Sequence, residues 1–170
     1  MIILSIGSNL NSRFGDRFKN INLAILYLES YGIRVLKRSC FYESPSYPDK
    51  NNPKFLNLAI SIDTELPPVD LMSVLVFIEE KLERKRNKKN DPRTCDIDII
   101  DYNSQILNFS YKNLNLIVPH KNLTSRNFVL IPLNEIEPNW KHPKTGQNIS
   151  TLIQKLSDED IKSILKVKKN

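Results

Sequence analysis

The chain has 170 residues, a formal net charge of +6, and hydrophobic and charged fractions of 40% and 26%. That length suits a single domain over 1–170 with a substantial core, and the composition is ordinary for a soluble globular protein. The positive excess points to an anionic partner, whether a nucleotide, a nucleic acid or a membrane surface. Cys40 and Cys95 stand far apart and in no metal-ligand spacing, which fits a reduced cytosolic setting better than a disulfide framework, and both read as buried small residues.

Met1 to Ile6 is a short apolar run ended by Gly7-Ser8-Asn9 and reads as a buried strand and turn. It is too short for a spanning helix and lacks the basic leader of a signal peptide, so a cytoplasmic protein is expected. Ile21, Ile25 and Leu28 predict a helix from Asp16 to Glu29, stopped near Gly32. Ile33 to Tyr42, rich in β-branched and aromatic residues, reads as one strand, and Phe55 to Thr64 as another beyond a loop punctuated by Pro45, Pro48 and Pro53. Leu71, Leu75, Ile78 and Leu82 predict a second helix from Val69 to about Arg86.

A fourth strand starts at Asp96 and runs to Tyr102, and Asn103-Ser104 reads as the turn of a hairpin into Gln105 to Phe109. This βαββαβ order is that of a ferredoxin-like α+β fold with two helices on one face of the sheet and an added hairpin. Phe128 to Glu135 and Ile149 to Leu156 read as short C-terminal helices. The tail from about 157 is expected to be peripheral, with its Lys-rich end past Ile164 frayed.

The chemistry concentrates between Arg84 and Asp98. Arg84, Lys85, Arg86, Lys88, Lys89 and Arg93 lead straight into Asp96 and Asp98. Alone, the cations read as a solvated helix end and an Asp-x-Asp as a solvent-facing strand edge. On one strand, however, Asp96, Asp98 and Ile100 share a face opposite Cys95, Ile97 and Ile99, which sets the two carboxylates roughly 6 to 7 Å apart. Like charges held so close call for a cation or a proton between them, and with no His or thiolate on that face hard oxygen ligation suggests Mg²⁺. Arginines beside such a pair suit a metal-bridged polyphosphate. Phe41-Tyr42-Glu43-Ser44-Pro45 and Phe55-Leu56-Asn57 bracket the Pro-rich loop. Their aromatics read either as core or as the walls of a slot for a flat ligand whose edge Ser44 and Asn57 would read. There is no Ser-His-Asp set, no zinc spacing and no GxxxxGK[ST] loop.

Gly7-Ser8-Asn9-Leu10, Phe41-Tyr42-x-Ser44-Pro45, Phe55-Leu56-Asn57, Arg84-x-Arg86, Pro92-Arg93-Thr94-x-Asp96-x-Asp98 and Val118-Pro119-His120 with Arg126-x-Phe128 together resemble the 6-hydroxymethyl-7,8-dihydropterin pyrophosphokinase family. Each motif is short; their order over about residues 1 to 140 is specific. The resemblance implies a folate-pathway enzyme that moves the pyrophosphoryl group of ATP onto the pterin's hydroxymethyl oxygen and releases AMP. It implies that Asp96 and Asp98 bind two Mg²⁺ ions, and that Arg84 and Arg93 act with them in catalysis. The implied ATP contacts are Arg84, Arg86, Lys88, Arg93, Ile99, His120 and Arg126. Gly7, Ser44, Pro45, Tyr47, Phe55, Asn57 and Phe128 would form the pterin pocket.

Several positions depart from the family's usual pattern. Asn90-Asp91 replaces an aromatic-Gly pair before the Pro-Arg, and the segment from Arg86 to Pro92 looks about one residue short. Phe55 stands where Tyr is common and Ser44 where Thr is, both preserving the proposed contact, and Lys121 and Asn127 also differ. The resemblance leaves ATP and the pterin as partners of a monomer, with no nucleic acid or membrane. Loops expected to close over them are Asn9 to Asp16, Ser44 to Lys54 and Asn87 to Asp91. The rivals are an RNA-binding module on the same fold, which would need exposed strand aromatics and an RNP-like motif that are not visible, and a Mg²⁺-dependent nuclease, which would not need the Phe55 and Asn57 pocket.

Overall fold

The structure, a computed structural model, describes residues 1–86, 90–111 and 114–168. β1 (Ile2–Ser8) lies between β4 (Phe55–Asp63) and β5 (Asp96–Tyr102), and β4 carries β2 (Arg34–Arg38) and β3 (Phe41–Ser44) along its other edge. Every pairing in this sheet is antiparallel. β1 is buried from end to end, which is why its sequence is apolar except for the small residues Ser5, Gly7 and Ser8.

α1 (Arg17–Ser30) and α2 (Pro68–Lys81) cover one face, as the βαββαβ order requires. Their apolar stripes meet Leu4, Ile6, Leu58, Ile60, Ile97 and Ile99 in one core. Asp16 caps α1 by accepting from the Lys19 N–H at 2.8 Å. Both helices end in the same motif, in which the residue after the cap is left-handed and the next N–H reaches back to the last turn. In α1 Gly32, at φ 75°, fills that position and Ile33 N donates to Leu28 O. In α2 Glu83 fills it at φ 67°, and Arg84 N donates to Glu79 O. α2 therefore stops at Lys81 rather than near Arg86, and the turn sends Arg84 back toward the sheet.

The opposite face packs Ile3, Ala59 and Ile100 against α3 (Asn127–Ile136) and α4 (Ile149–Gln154), with Trp140 between them. A bulge makes this possible. Ile3 pairs with Asp101 and Leu4 with Ile99, leaving Ile100 as the extra residue. Past the bulge Asp101 points to the same face as Ile100, where its buried carboxylate accepts from Trp140 Nε1 at 2.6 Å.

Three expectations are corrected. The strand read from Ile33 to Tyr42 is broken at Ser39-Cys40, where buried Ser39 pairs with Ala59 through its backbone and hydroxyl, and β4 meets β2 and β3 in different registers. Asn103-Ser104 does form a tight turn, both residues left-handed and Gln105 N bonded to Tyr102 O, but the next strand does not pair back onto β5. Instead β6 (Leu107–Tyr111) pairs with β7 (Leu114–Val118), because Leu107, Phe109 and Tyr111 on alternate positions pack against the α1/α2 core. Residues 165–167 are not frayed: after α5 (Asp158–Ser163), β8 (Leu165–Val167) pairs with β3, and residues 169–170 lie outside the described residues. Among the described residues no helix is long and apolar enough to cross a membrane.

Candidate active site

Strand register builds the floor of a cavity of about 540 Å³. Asn57, Gly7 and Asp96 lie abreast on β4, β1 and β5, and Ala59, Ser5 and Asp98 form the next row. All point to the α3 face. The Ala59 end is covered by the second core, whereas α3 starts only at Asn127 and leaves the Gly7 end open. A Cβ on Gly7 would lie 3.1 Å from Asn57 Oδ1 and 3.5 Å from the Phe55 ring, so any larger residue would push the Asn57 amide aside.

At the polar end, Asp96 is bonded on both oxygens: Arg84 donates to Oδ1, and Arg93 donates to Oδ2 through Nε at 2.8 Å and Nη2 at 2.6 Å. Burial works against the Asp96 charge, but Arg93 and Arg84 outweigh it and hold the carboxyl down at about 2. Among the described residues Asp98 has one looser partner, Arg126 at 3.6 Å. Burial, then the Asp96 charge, push its carboxyl up to about 6. Behind them, buried Glu79 of α2 takes Arg84 and Arg86 on its two oxygens and accepts the Ile97 N–H at 2.7 Å. Four guanidiniums thus surround three carboxylates, and the cluster keeps a positive excess for an anionic ligand.

His120, at the end of β7, accepts the Asn122 N–H on Nδ1 at 3.1 Å. Burial, then Arg126 and Lys121, lower its pKa to about 4, so at neutral pH it is an uncharged ring whose Nε2–H can donate. At the apolar end Phe55 and Phe128 line the cavity with Pro45 and the exposed Tyr47. Arg93 lies over the Phe55 ring at 4.9 Å and Arg126 over Phe128 at 5.5 Å. Asn57 Nδ2 donates to Ser44 Oγ at 3.0 Å, leaving its carbonyl oxygen beside Gly7.

Residues 3–138 match the model of the 7,8-dihydro-6-hydroxymethylpterin-pyrophosphokinase (HPPK) family. The chain belongs to the HPPK family. It is 35% identical over 162 residues to the 2-amino-4-hydroxy-6-hydroxymethyldihydropteridine pyrophosphokinase of Methylorubrum extorquens, covering 95% of this chain and 96% of that protein. It is 38% identical over 164 residues to the folic acid synthesis protein fol1 of Pneumocystis carinii, covering 96% of this chain but only 21% of that protein. The chain thus spans about a fifth of the length of the fungal relatives it matches. The crystal structure of Plasmodium falciparum HPPK-DHPS shares the fold, with a TM-score of 0.69 at 18% identity over 91% of this chain and 44% of that one.

The structure gathers most of the residues that resemblance to the HPPK family singled out. Gly7, Ser44, Pro45, Tyr47, Phe55, Asn57 and Phe128 line the same cavity as Arg93, Asp96, Asp98 and Arg126. Arg84, Arg86 and His120 stand outside its lining, the two arginines held on Glu79. The Ile99 side chain packs in the α1/α2 core, on the face away from the cavity. Lys88 lies outside the described residues, as does part of the Asn87 to Asp91 loop.

Three contributors escaped sequence reasoning. Glu79 left a faint signal, an acid set among the apolar positions Leu75 and Ile78 of α2 and Leu82 just past its end. Asn9 stands in the Gly7-Ser8-Asn9-Leu10 motif, which assigned it no role; buried, it accepts the Arg93 N–H at 2.6 Å and donates to Ser46 Oγ and Pro53 O, tying the first turn and the Pro-rich loop to Arg93. The third is the wall formed by Glu159, Asp160 and Ser163 of α5, which carries no motif.

Proposed function

We propose that this chain transfers the pyrophosphoryl group of ATP to the hydroxymethyl oxygen of 6-hydroxymethyl-7,8-dihydropterin. The oxygen bonds to the β-phosphorus, the bond to the α-phosphate oxygen breaks, AMP leaves, and the hydroxyl proton is released. One observation carries the reading: an aromatic slot with an amide edge and an arginine-carboxylate cluster share one cavity, with Asn57 and Asp96 abreast on either side of Gly7. Family membership and the relative of full matching length support it.

Magnesium belongs to the proposal, and the residues present fit it. Asp96 and Asp98 offer hard oxygens on one face, and Asp98, with its raised pKa and the loose contact to Arg126, is a carboxyl that a cation would keep ionised. Among the described residues no group of three or more His, Cys, Asp or Glu is placed to hold a metal, so phosphate and water oxygens would complete the shell of each of two ions. When bound, Mg²⁺ neutralises phosphate oxygens and orients them for in-line displacement.

The protein groups do the rest. Arg93, bound to Asp96 and stacked on Phe55, sits at the junction of the two ligand ends, where rotation from carboxylate to phosphate would put it on the transferring group. Arg126, and the His120 Nε2–H at neutral pH, supply further donors. Asn57 and Ser44 fix the pterin edge, and positioning the hydroxymethyl oxygen replaces the need for a strong base. A cytoplasmic, monomeric enzyme completes the proposal, supported by two unpaired cysteines and tested by cell fractionation and light scattering.

Incubation with ATP, the pterin and Mg²⁺, followed by chromatography, should give AMP and pterin diphosphate in equal amounts. Asp96→Ala and Asp98→Ala should each abolish turnover with the circular dichroism spectrum unchanged. ADP as the nucleotide product, AMP release without pterin, or full activity in either variant would refute the reading.

A further inference from the structure

The family match ends at residue 138, yet a later part of the chain walls the cavity. Glu159, Asp160 and Ser163 of α5 face the same space as Ser44, Pro45, Tyr47 and Phe128, the apolar end. α5 has no buried residue of its own, and so short a helix does not hold its place unaided. Its Ser157 cap bonds are internal to the helix. Its bridge from Glu159 to Lys50 of the Pro-rich loop, at 3.2 Å, joins two side chains that are 81% and 73% exposed, which is worth little.

The buried tie is Asn127. This residue stands between Arg126, which faces Asp98, and Phe128, which lines the slot, and its side chain is turned to the C-terminal segment. Nδ2 donates to Asp160 O at 2.6 Å and to Ser163 Oγ at 3.0 Å, while Oδ1 accepts the Phe128 N–H at 2.7 Å. A carboxamide supplies two donors and an acceptor at once, and a carboxylate of the same shape cannot. At the far end β8 clips onto β3, which fixes where the segment leaves the cavity.

We propose that Asn127 is a positioning residue for the pterin: it holds α5 as the wall that completes the apolar end of the cavity and, with the same side chain, sets the backbone of Phe128. The proposal rests on the function given above. Asn127 acts through α5, so its loss loosens the pterin end and leaves the nucleotide end, built from Glu79, Asp96 and the arginines, as it was.

The test compares wild type, Asn127→Asp, Ser163→Ala and the double variant, each as the full chain. KM for the pterin should rise roughly tenfold in Asn127→Asp, the scale of a lost buried hydrogen-bond set, and by less in Ser163→Ala. KM for ATP should be unchanged and kcat changed less than KM. Adding Ser163→Ala to Asn127→Asp should cost less than the product of the two single effects, because the Nδ2 donor that Ser163 served is gone and its own bond to Asp160 O is what remains. Independent, multiplying effects of the two substitutions, equal losses for ATP and pterin, or an unchanged pterin KM would each overturn the proposal. If Asn127→Asp does not fold, Asn127→Ser removes the same donors and carries the same comparison. Wild type that releases no pterin-dependent AMP refutes the function itself, whereas an active wild type with unchanged variants refutes only the role of Asn127.

Discussion

Glu79 is where the structure makes its strongest energetic claim. Its side chain is 3% exposed and that of Arg84 is 11% exposed, so truncating Glu79→Ala breaks a buried ion pair from one side. Such a loss costs about 3 to 5 kcal/mol, because the remaining charge stays desolvated without its partner. The Ile97 N–H also loses its acceptor, for about 1 to 3 kcal/mol. One effect pulls the total down: Asp96 still neutralises Arg84. Arg86, whose side chain is 38% exposed, turns to water and adds at most about 1 kcal/mol. A net destabilisation of roughly 4 kcal/mol follows, a large share of the 5 to 15 kcal/mol typical of a folded domain. Urea titration should show the midpoint falling by about 2 M for an m value near 2 kcal/mol/M. Glu79→Gln is the discriminating control. Burial outweighs Arg84 and Arg86 and pushes the Glu79 carboxyl up to about 7, so wild type loses stability as pH rises from about 4.5 through 7 and the side chain is forced to ionise. The amide keeps an acceptor for Ile97 and cannot ionise, so Glu79→Gln should lack that pH-dependent loss and should stay more stable than Glu79→Ala throughout. Glu79→Gln as unstable as Glu79→Ala, or a wild-type stability that does not fall between about pH 5 and 8, would refute the reasoning.

Two other outcomes follow from local geometry. Gly7→Ala should keep the fold, since Gly7 is not left-handed, but its Cβ at 3.1 Å from Asn57 Oδ1 displaces the amide. Titration calorimetry should show pterin affinity reduced about tenfold at an unchanged thermal midpoint, and unchanged affinity would place the pterin elsewhere. Tyr42 donates to Glu135 at 2.7 Å, and burial, then that bond, push its phenol up to about 12. The native chain then holds this proton after an unfolded tyrosine has lost it near 10, so the stability it contributes is whole below about pH 10 and lost as pH rises to about 12. Tyr42→Phe should flatten that alkaline limb in urea titrations, and an unaltered limb would count against the bond.

The residues that make the cavity's floor were legible because a strand's alternation is local. Asp96, Asp98 and Ile100 share a face in the structure as their spacing requires, and α1 begins at the Asp16 cap and ends at Gly32. The bulge at Ile100, the break at Ser39 and the pairing of β6 with β7 were not legible, because register is decided by which partner strand buries the apolar side chains. Motif order also joined the distant Phe55, Asn57, Arg93 and Phe128, which the fold then brought to one cavity.

By itself, then, the sequence determined α1, the start and apolar stripe of α2, the strand faces and the carboxylate pair, since these depend on spacing along a few turns or residues. Only the tertiary structure decided which charges meet and what closes the site. Glu79 under two arginines and α5 held by Asn127 are contacts between segments remote in sequence. Nothing in local periodicity encodes them, because they form only when the sheet brings α2, β5, α3 and the C-terminal segment together.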